Sequence, residues 1–389
     1  MVKKGYKQTE IGVIPEDWEV KPLKVVAPLQ RGFDLPYSSI KDGIYPVVFS
    51  NGIGAYHSSY MVKGPGVVMG RSGTIGKIHY VKSDYWPHNT TLWVTDFHNN
   101  DPLFASYLFK TIPWNLYNSG SGVPTLNRND VQDYLVAIPS PKEQTEIAAI
   151  LSDVDTLINS LKRQIVKKKA IKQGAMQELL TGKKRLPGFS GDWIKSNIGS
   201  CIIEKPSYGI NAPAVDFNGF LPRYIRITDI SKDGRYCKDA QASVSAENVE
   251  PFLLKTNDIV LARTGASVGK SYIYDEHDGR LVYAGFLIKM SIDPQKADSR
   301  FIFGVLHTYD YWKWVAQTSM RSGQPGINGE EYASYEFRMP SDLKEQKAIA
   351  DILTNMDNEI VTLGKKLIKY RQVKQGMMQQ LLTGKIRLV

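Results

Sequence analysis

Two long stretches of the chain place apolar side chains at alternating steps of four and three residues, with charged residues between them. This spacing is typical of a heptad seam, along which helices pair side by side. The seam residues are Ile147, Leu151, Val154, Ile158, Leu161 and Ile165 in the first stretch, and Ile349, Leu353, Met356, Ile360, Leu363 and Leu367 in the second. Because each seam needs a partner, the pattern predicts two long helices that pair with each other as an antiparallel coiled coil.

Both predicted helices have clear start and end signals in the sequence. Pro139 and Pro141 precede the first helix and Pro340 precedes the second, whereas Gly182 and Gly384 follow them as expected C-terminal caps. A helix from residue 143 to residue 180 would be ~57 Å long at ~1.5 Å per residue. These helices are therefore unusually long for elements buried within a single small domain.

The two helical stretches are copies of one sequence. Residues 142–144 (KEQ) return as 344–346, and residues 179–183 (LLTGK) return as 381–385. The offset is the same at both ends of the stretch, so the copies contain no insertion or deletion. A repeat of this length indicates that the chain consists of two related halves.

The regions outside the helices match more loosely. Residues 66–77 (GVVMGRSGTIGK) correspond to 258–270 (DIVLARTGASVGK), and residues 122–127 (GVPTLN) correspond to 323–328 (GQPGIN). Between these motifs the halves differ, and both are rich in short β-like runs broken by Gly, Pro, Asn and Asp. We predict an α+β fold, with two similar, mainly-β domains at 1–141 and 187–341, separated by helices at 142–186 and 342–389.

Composition and cysteine content set broad limits. A hydrophobic content of 42% and a charged content of 23% are ordinary for a globular protein. The start of the chain lacks the apolar stretch of a secretory signal, and no apolar run is long enough to cross a bilayer. Cys201 and Cys237 have no Cys or His neighbours at metal spacing, nor do the histidines form such a pair. We expect a cytoplasmic protein without metal or cofactor.

The net charge of +10 is concentrated on the helices. Residues 162–185 hold nine Lys or Arg against one Glu, and residues 360–389 hold seven Lys or Arg and no acid. The rest of the chain is therefore net negative. Such a basic strip suits either a solvated helix surface or a polyanionic partner.

Two variable domains alternating with two near-identical helices resemble the specificity subunit of Type I restriction–modification systems. Residues 9–18 (TEIGVIPEDW), the Arg-Ser/Thr-Gly loop, the Gly-x-Pro-x-Leu/Ile-Asn loop and the KEQ…LLTGK helix resemble that family in order. The resemblance implies a non-catalytic subunit whose domains each read one half of a split, asymmetric DNA target. It also implies that the helices set the gap between the halves and dock two methyltransferase subunits, with restriction and motor subunits joining the larger complex.

Two other functions have partial support in the sequence. Residues 266–271 (ASVGKS) look like the end of a phosphate-binding loop, but Thr264 stands where that motif requires glycine. Residues 101–104 (DPLF) resemble the catalytic loop of adenine methyltransferases, but Leu103 replaces the second proline, and we interpret Asp101 as a helix cap. A self-contained adenine methyltransferase and a protein scaffold that does not bind DNA remain the alternatives.

The paired loops supply the candidate DNA contacts, because arginine, lysine and amide side chains suit phosphates and base edges. The candidates are Arg71, Ser72, Lys77, Asn127 and Arg128 in the first domain, and Arg263, Thr264, Lys270, Arg321, Gln324 and Asn328 in the second. A second apolar stripe on the helices, expected to be exposed, predicts the methyltransferase contacts: Ile150, Leu157, Ile352 and Val361. The sequence does not give the DNA target or the spacer length.

Overall fold

The computed structural model describes residues 2–119, 122–320 and 324–388. The chain forms two compact units, of which the first comprises residues 1–163 and 365–389 and the second comprises residues 164–364. Each long helix therefore contributes to both units. The helices are grouped with the globular parts rather than apart from them, and the four-part division expected from the sequence remains a prediction.

The first unit contains eleven strands within its described residues. In chain order they are Tyr6–Thr9 (β1), Gly12–Pro15 (β2), Glu19–Pro22 (β3), Leu29–Arg31 (β4), Tyr45–Phe49 (β5), Gly52–His57 (β6), Gly66–Gly70 (β7), Ile78–Val81 (β8), Trp86–Pro87 (β9), Thr91–Val94 (β10) and Leu135–Ile138 (β11). Its α-helices are Leu23–Val26 (α1), Pro102–Phe109 (α2), Arg128–Val131 (α3) and the first part of Pro141–Leu179 (α4), together with the end of the second long helix, residues 365–381.

The second unit repeats this plan with fewer strands among the described residues. They are Trp193–Asn197 (β12), Ser207–Tyr208 (β13), Ala214–Asp216 (β14), Arg223–Ile225 (β15), Ala242–Val244 (β16), Asp258–Ala262 (β17), Ser271–Ile273 (β18), Leu281–Tyr283 (β19), Leu287–Ser291 (β20) and Glu336–Pro340 (β21). The α-helices are Ser299–Val305 (α5), Tyr309–Thr318 (α6), Gly329–Ala333 (α7) and the first part of Leu343–Leu381 (α8), together with the end of α4, residues 164–179.

An antiparallel sheet of four strands is common to both units. Its order is β4-β10-β7-β8 in the first unit and β13-β20-β17-β18 in the second. The central strands β7 and β17 are buried along their whole length, as expected for apolar runs covered on both faces. The second unit has a further four-stranded sheet, β14-β16-β15-β19, and the other strands form sheets of two or three strands. The predicted α+β class is confirmed.

Within the first unit, the beginning of α4 and the end of α8 lie in one hydrophobic core. Ile147 and Leu151 are fully buried there, together with Leu381, Leu382 and the strand residue Met69. Burying an aliphatic side chain contributes about 1.5–3 kcal/mol, so this core fixes the two helix ends beside each other. In the second unit the end of α4 and the beginning of α8 share a core in the same way.

Ion pairs between the helices fix their antiparallel orientation within each unit. In the first unit Lys374 Nζ lies 2.7 Å from Asp155, and in the second Lys172 Nζ lies 2.7 Å from Asp357. The aspartates occupy equivalent positions of the repeat, and so do the lysines. Each pair joins the first half of one helix to the second half of the other, which confirms the predicted antiparallel pairing.

The seam residues that are most buried are mainly those nearest the globular parts. Ile147, Leu151, Ile158, Leu161, Ile349 and Leu353 are buried, whereas Val154, Ile165, Met356, Ile360, Leu363 and Leu367 are half-buried. Gly182 and Gly384 follow the helices with φ of 72° and 69°. This left-handed conformation is the one expected of glycine C-terminal caps. Among the described residues, no helix combines the length and the apolar content needed to cross a membrane.

The expectation that the second apolar stripe is exposed is wrong for two of its residues. Ile150 packs against the core of the first unit and Ile352 against the core of the second. Both stand one position before a fully or largely buried seam residue, so the helix turn that faces the sheet includes them. Leu157 is 38% exposed and Val361 is half-buried, and their role in docking remains a prediction.

Candidate nucleic-acid interface

In the first unit, the Arg-Ser-Gly loop after β7 is held by backbone hydrogen bonds to the Gly-x-Pro loop. Arg71 O accepts from Leu126 N–H at 2.8 Å, and Gly73 N–H donates to Pro124 O at 2.9 Å. Gly73 and Gly76 have φ of 82° and 73°. These positive φ values allow the chain to turn sharply after β7, and the two motifs form one surface.

The second unit builds the same arrangement from different residues. Arg263 O accepts from Ile327 N–H at 2.9 Å, and Gly265 N–H donates to Pro325 O at 3.0 Å. Gly265 and Gly269 again have positive φ, at 67° and 85°. The loop geometry is therefore a property of the repeat, whereas the side chains placed on it differ.

A third loop, which the sequence comparison did not include, completes each surface. Arg71 N–H donates to Thr90 O at 2.9 Å in the turn before β10, and Arg263 N–H donates to Phe286 O at 3.0 Å in the turn before β20. His88 and Ala284 are structural counterparts, because their carbonyls accept from the equivalent N–H groups of Thr91 and Leu287 at the start of β10 and β20.

The two loop arginines remain available for a ligand. Arg71 is half-buried and its Nη1 lies 3.5 Å from Asn89 O, a weak hydrogen bond. Arg263 is half-buried with its guanidinium 4.8 Å from the centre of the Tyr208 ring. Stacking on the ring orients the guanidinium without using its N–H donors. Both arginines can therefore present the planar donor fork that matches phosphate or guanine.

The two lysines of the paired motifs are partly engaged. Lys77 Nζ donates to Asn51 O at 2.6 Å and remains exposed. Lys270 Nζ donates to Ile230 O at 3.2 Å and is half-buried. An ammonium has three donors, so each lysine keeps donors for a phosphate, and Lys77 is the more accessible. Both contacts also tie the loop to the neighbouring part of its own unit.

Asn127 and Asn328 act as helix caps, which limits the base-reading role expected for their amides. Asn127 Oδ1 accepts from Asn129 N–H at 3.1 Å at the start of α3. Asn328 Oδ1 accepts from Glu331 N–H at 2.8 Å, and Glu331 Oε2 accepts from Asn328 N–H at 2.7 Å, a capping box at the start of α7. The acceptor that would pair with adenine is therefore used inside the protein in both units.

The other candidates lie on the same surfaces. Ser72 and Thr264 are half-buried. Ser72 forms an isolated β-bridge with Thr125, and Thr264 forms one with Gly326. Arg128 is exposed and donates to Gln30 Oε1, and Gln324 is exposed beside Gly265. Arg321 lies outside the described residues. Three loops in each unit thus gather a loop arginine, a lysine and a set of variable polar side chains.

The residues behind the enzymatic alternatives have structural roles. Asp101 Oδ1 accepts from Phe104 N–H at 2.8 Å and caps α2, with Pro102 in its first turn, as predicted. Thr264 leads into a short 3-10 turn between two antiparallel strands rather than into the helix that follows a phosphate-binding loop. Across the described residues, no group of three or more His, Cys, Asp or Glu side chains is placed to hold a metal ion.

Comparison with known proteins agrees with the two-fold repeat. The family model described as "Type I restriction modification DNA specificity domain" matches residues 15–171 and 192–370. The chain is 26% identical over 438 residues to the putative type I restriction enzyme MjaX specificity subunit of Methanocaldococcus jannaschii, covering 99% of this chain and 97% of that protein. It is 25% identical to the MjaVIII specificity subunit of the same organism, covering 74% and 70% of the two chains.

A solved structure shares the fold. The S subunit of a Type I restriction–modification system from M. genitalium superposes with a TM-score of 0.67 at 14% identity, covering 96% of this chain and 97% of that one. At this identity the likeness concerns the fold alone. It supports the predicted architecture of two similar domains with long helices.

Proposed function

The chain belongs to the family of Type I restriction modification DNA specificity domains, and we propose that it is the DNA-recognition subunit of a restriction–modification complex. Each unit reads one half of a split, asymmetric target. The observation that carries this proposal is the three-loop surface, which is built twice on the same backbone hydrogen bonds but with different exposed side chains. Shared residues position the duplex, and divergent residues specify its sequence.

We propose that the subunit is non-catalytic and that the chemistry resides in its partners. The partners are two methyltransferase subunits, joined by restriction and motor subunits, and the helix pair sets the gap between the half-sites. The helices support this because their sequences and ion pairs recur in both units, so one kind of partner would meet two equivalent surfaces. The proposed location is the cytoplasm, where such a complex meets DNA.

The basic strip on the helices serves partly to hold the helices together. Lys168 pairs with Glu359 at 2.7 Å, and Lys172 and Lys374 pair with aspartates of the opposite helix.

The alternative of a scaffold that does not bind DNA is tested by filter binding with random duplex at low salt. Salt-dependent retention of the duplex supports the proposal, and no retention at any salt concentration contradicts it.

Arg71→Ala and Arg263→Ala should each affect only one half-site. If the arginine contacts a base, we expect a loss of about 1–3 kcal/mol of binding free energy and relaxed specificity at one position; if it contacts a phosphate, the salt slope should fall by about one. The measurement is a salt titration of binding to duplexes that vary one half-site at a time. Wild-type affinity and specificity in both variants would show that these arginines only support the loops.

A further inference from the structure

Phe286 occupies an unusual position for an apolar side chain. It is 59% exposed, yet it lies in a tight turn that is fixed on both sides. Leu287 N–H donates to Ala284 O at 2.8 Å, Gly285 N–H donates to Ile210 O at 2.9 Å, and Phe286 O accepts from Arg263 N–H. The turn is therefore well ordered while its phenyl ring is left largely in solvent.

The strand register places Phe286 beside the loop arginine. Ala262 pairs with Leu287 in the antiparallel ladder of β17 and β20, so the next opposing residues are Arg263 and Phe286. Side chains directly opposite in an antiparallel pair point to the same face, with Cβ atoms about 5 Å apart. Two long side chains this close together can contact the same base pair or neighbouring base pairs, which are ~3.4 Å apart.

The first unit has threonine at the equivalent place. Gly70 pairs with Thr91, so Arg71 and Thr90 oppose each other as Arg263 and Phe286 do. Thr90 is half-buried, and its hydroxyl accepts from Ser50 N–H at 3.3 Å. The residue opposite the arginine is thus a small, hydrogen-bonded threonine in the first unit and a large, exposed phenylalanine in the second. The two surfaces otherwise have the same backbone arrangement.

Resting on the proposed function, we propose that Phe286 makes an apolar contact with a base in the half-site read by the second unit and so determines specificity at one position. Single exposed apolar residues are common on protein surfaces. What distinguishes Phe286 is its rigid turn, its register with Arg263 and the divergence from Thr90. An apolar ring can meet the thymine methyl group in the major groove or insert at a base step.

The test uses Phe286→Ala and Phe286→Thr in the full chain, assembled in its complex, against a duplex library randomised in the second half-site. Both variants should bind the preferred site about 5- to 30-fold more weakly and lose base preference at one position of that half-site only. Ile203→Ala is the matched control. Ile203 is 67% exposed and lies beside Ser291, at the other end of the same strand, so this variant should bind like the wild type.

Two further duplexes distinguish the kinds of base contact. If Phe286 meets a thymine methyl, replacing that thymine by uracil should weaken the wild type about 3- to 5-fold and leave Phe286→Ala unchanged. If the ring enters a base step, 2-aminopurine at that step should brighten on binding of the wild type and not of the variant. Either result supports the proposal.

If the wild type recognises its split site and both Phe286 variants bind it with the same affinity and base preference, the inference is overturned. Failure of the wild type itself to recognise any split site would instead count against the proposed function. Thermal unfolding of each variant checks that the exposed substitution leaves the fold intact.

Discussion

Trp18→Ala should lower the free energy of unfolding of the first unit by about 3–5 kcal/mol, the usual cost of truncating a fully buried tryptophan. Trp18 is 0% exposed, and its indole Nε1 donates to Glu143 Oε2 at 3.0 Å. The substitution removes apolar burial and also takes one hydrogen-bond donor from a carboxylate that is itself buried. Urea denaturation, followed by a probe in the first unit, measures the loss.

Trp193, at the start of β12, provides a comparison in the second unit. This residue is only half-buried, and its Nε1 has no hydrogen-bond partner among the described residues. Since a hydrogen bond to a charged group contributes about 1.5–3 kcal/mol, Trp193→Ala should cost at least about 1 kcal/mol less than Trp18→Ala. Equal losses in the two variants would contradict an additional contribution from the fuller burial of Trp18 and its hydrogen bond to Glu143.

Arg387→Ala should cost about 3 kcal/mol, because it leaves a buried carboxylate without its cation. Arg387 Nε and Nη2 donate to Glu143 at 2.7 and 2.9 Å, and Nη1 and Nη2 donate to Asp17 at 2.8 and 2.7 Å. The side chain of Glu143 is 1% exposed. The hydrogen bonds to Glu143 and Asp17 raise the pKa of Arg387, so the guanidinium stays charged. Thermal or urea unfolding gives the change.

Two companion variants identify the cause of this loss. Asp17→Asn removes only the exposed carboxylate and should cost less than about 1 kcal/mol. Glu143→Gln in the Arg387→Ala background should recover part of the stability, since a neutral amide is easier to bury than an unpaired charge. A double variant that is less stable than Arg387→Ala alone would contradict the view that the unpaired charge causes the loss.

The same contact recurs in the second unit, where Arg185 Nε and Nη2 donate to Glu345 at 2.7 and 2.8 Å. Arg185 and Arg387 occupy equivalent positions of the repeat, as do Glu143 and Glu345. In both units the segment after one long helix binds the beginning of the other. This contact gives a structural reason for the recurrence of the arginine after the LLTGK motif and of the glutamate in the KEQ motif.

The helices could be predicted from sequence because their determinants are local. Heptad spacing sets the seam, proline marks the start, and glycine at positive φ ends the helix, as the φ of Gly182 and Gly384 shows. The exposed stripe failed at Ile150 and Ile352 because periodicity gives the direction of a side chain but not what covers it. That depends on the sheet, whose position no local pattern reveals.

The sequence predicted which loops form the candidate site, but not the role of each side chain in those loops. Asn127 and Asn328 occupy a shared motif, and an acidic residue follows each by three positions, at Asp130 and Glu331. That spacing is a helix-start signature, and it was the available signal that these amides serve as caps. Phe286 was missed because the halves diverge before β10 and β20, so that only the strand register aligns it with Thr90.

The most direct test of the central claim is to map methylated bases in DNA from cells that carry the complete system, before and after exchange of residues 1–141 for those of a relative. We expect a split motif in the wild type. After the exchange, we expect one half of the motif to change and the other half to keep its bases. A continuous motif, or a change of both halves after the exchange, would contradict the claim that each unit reads its own half-site.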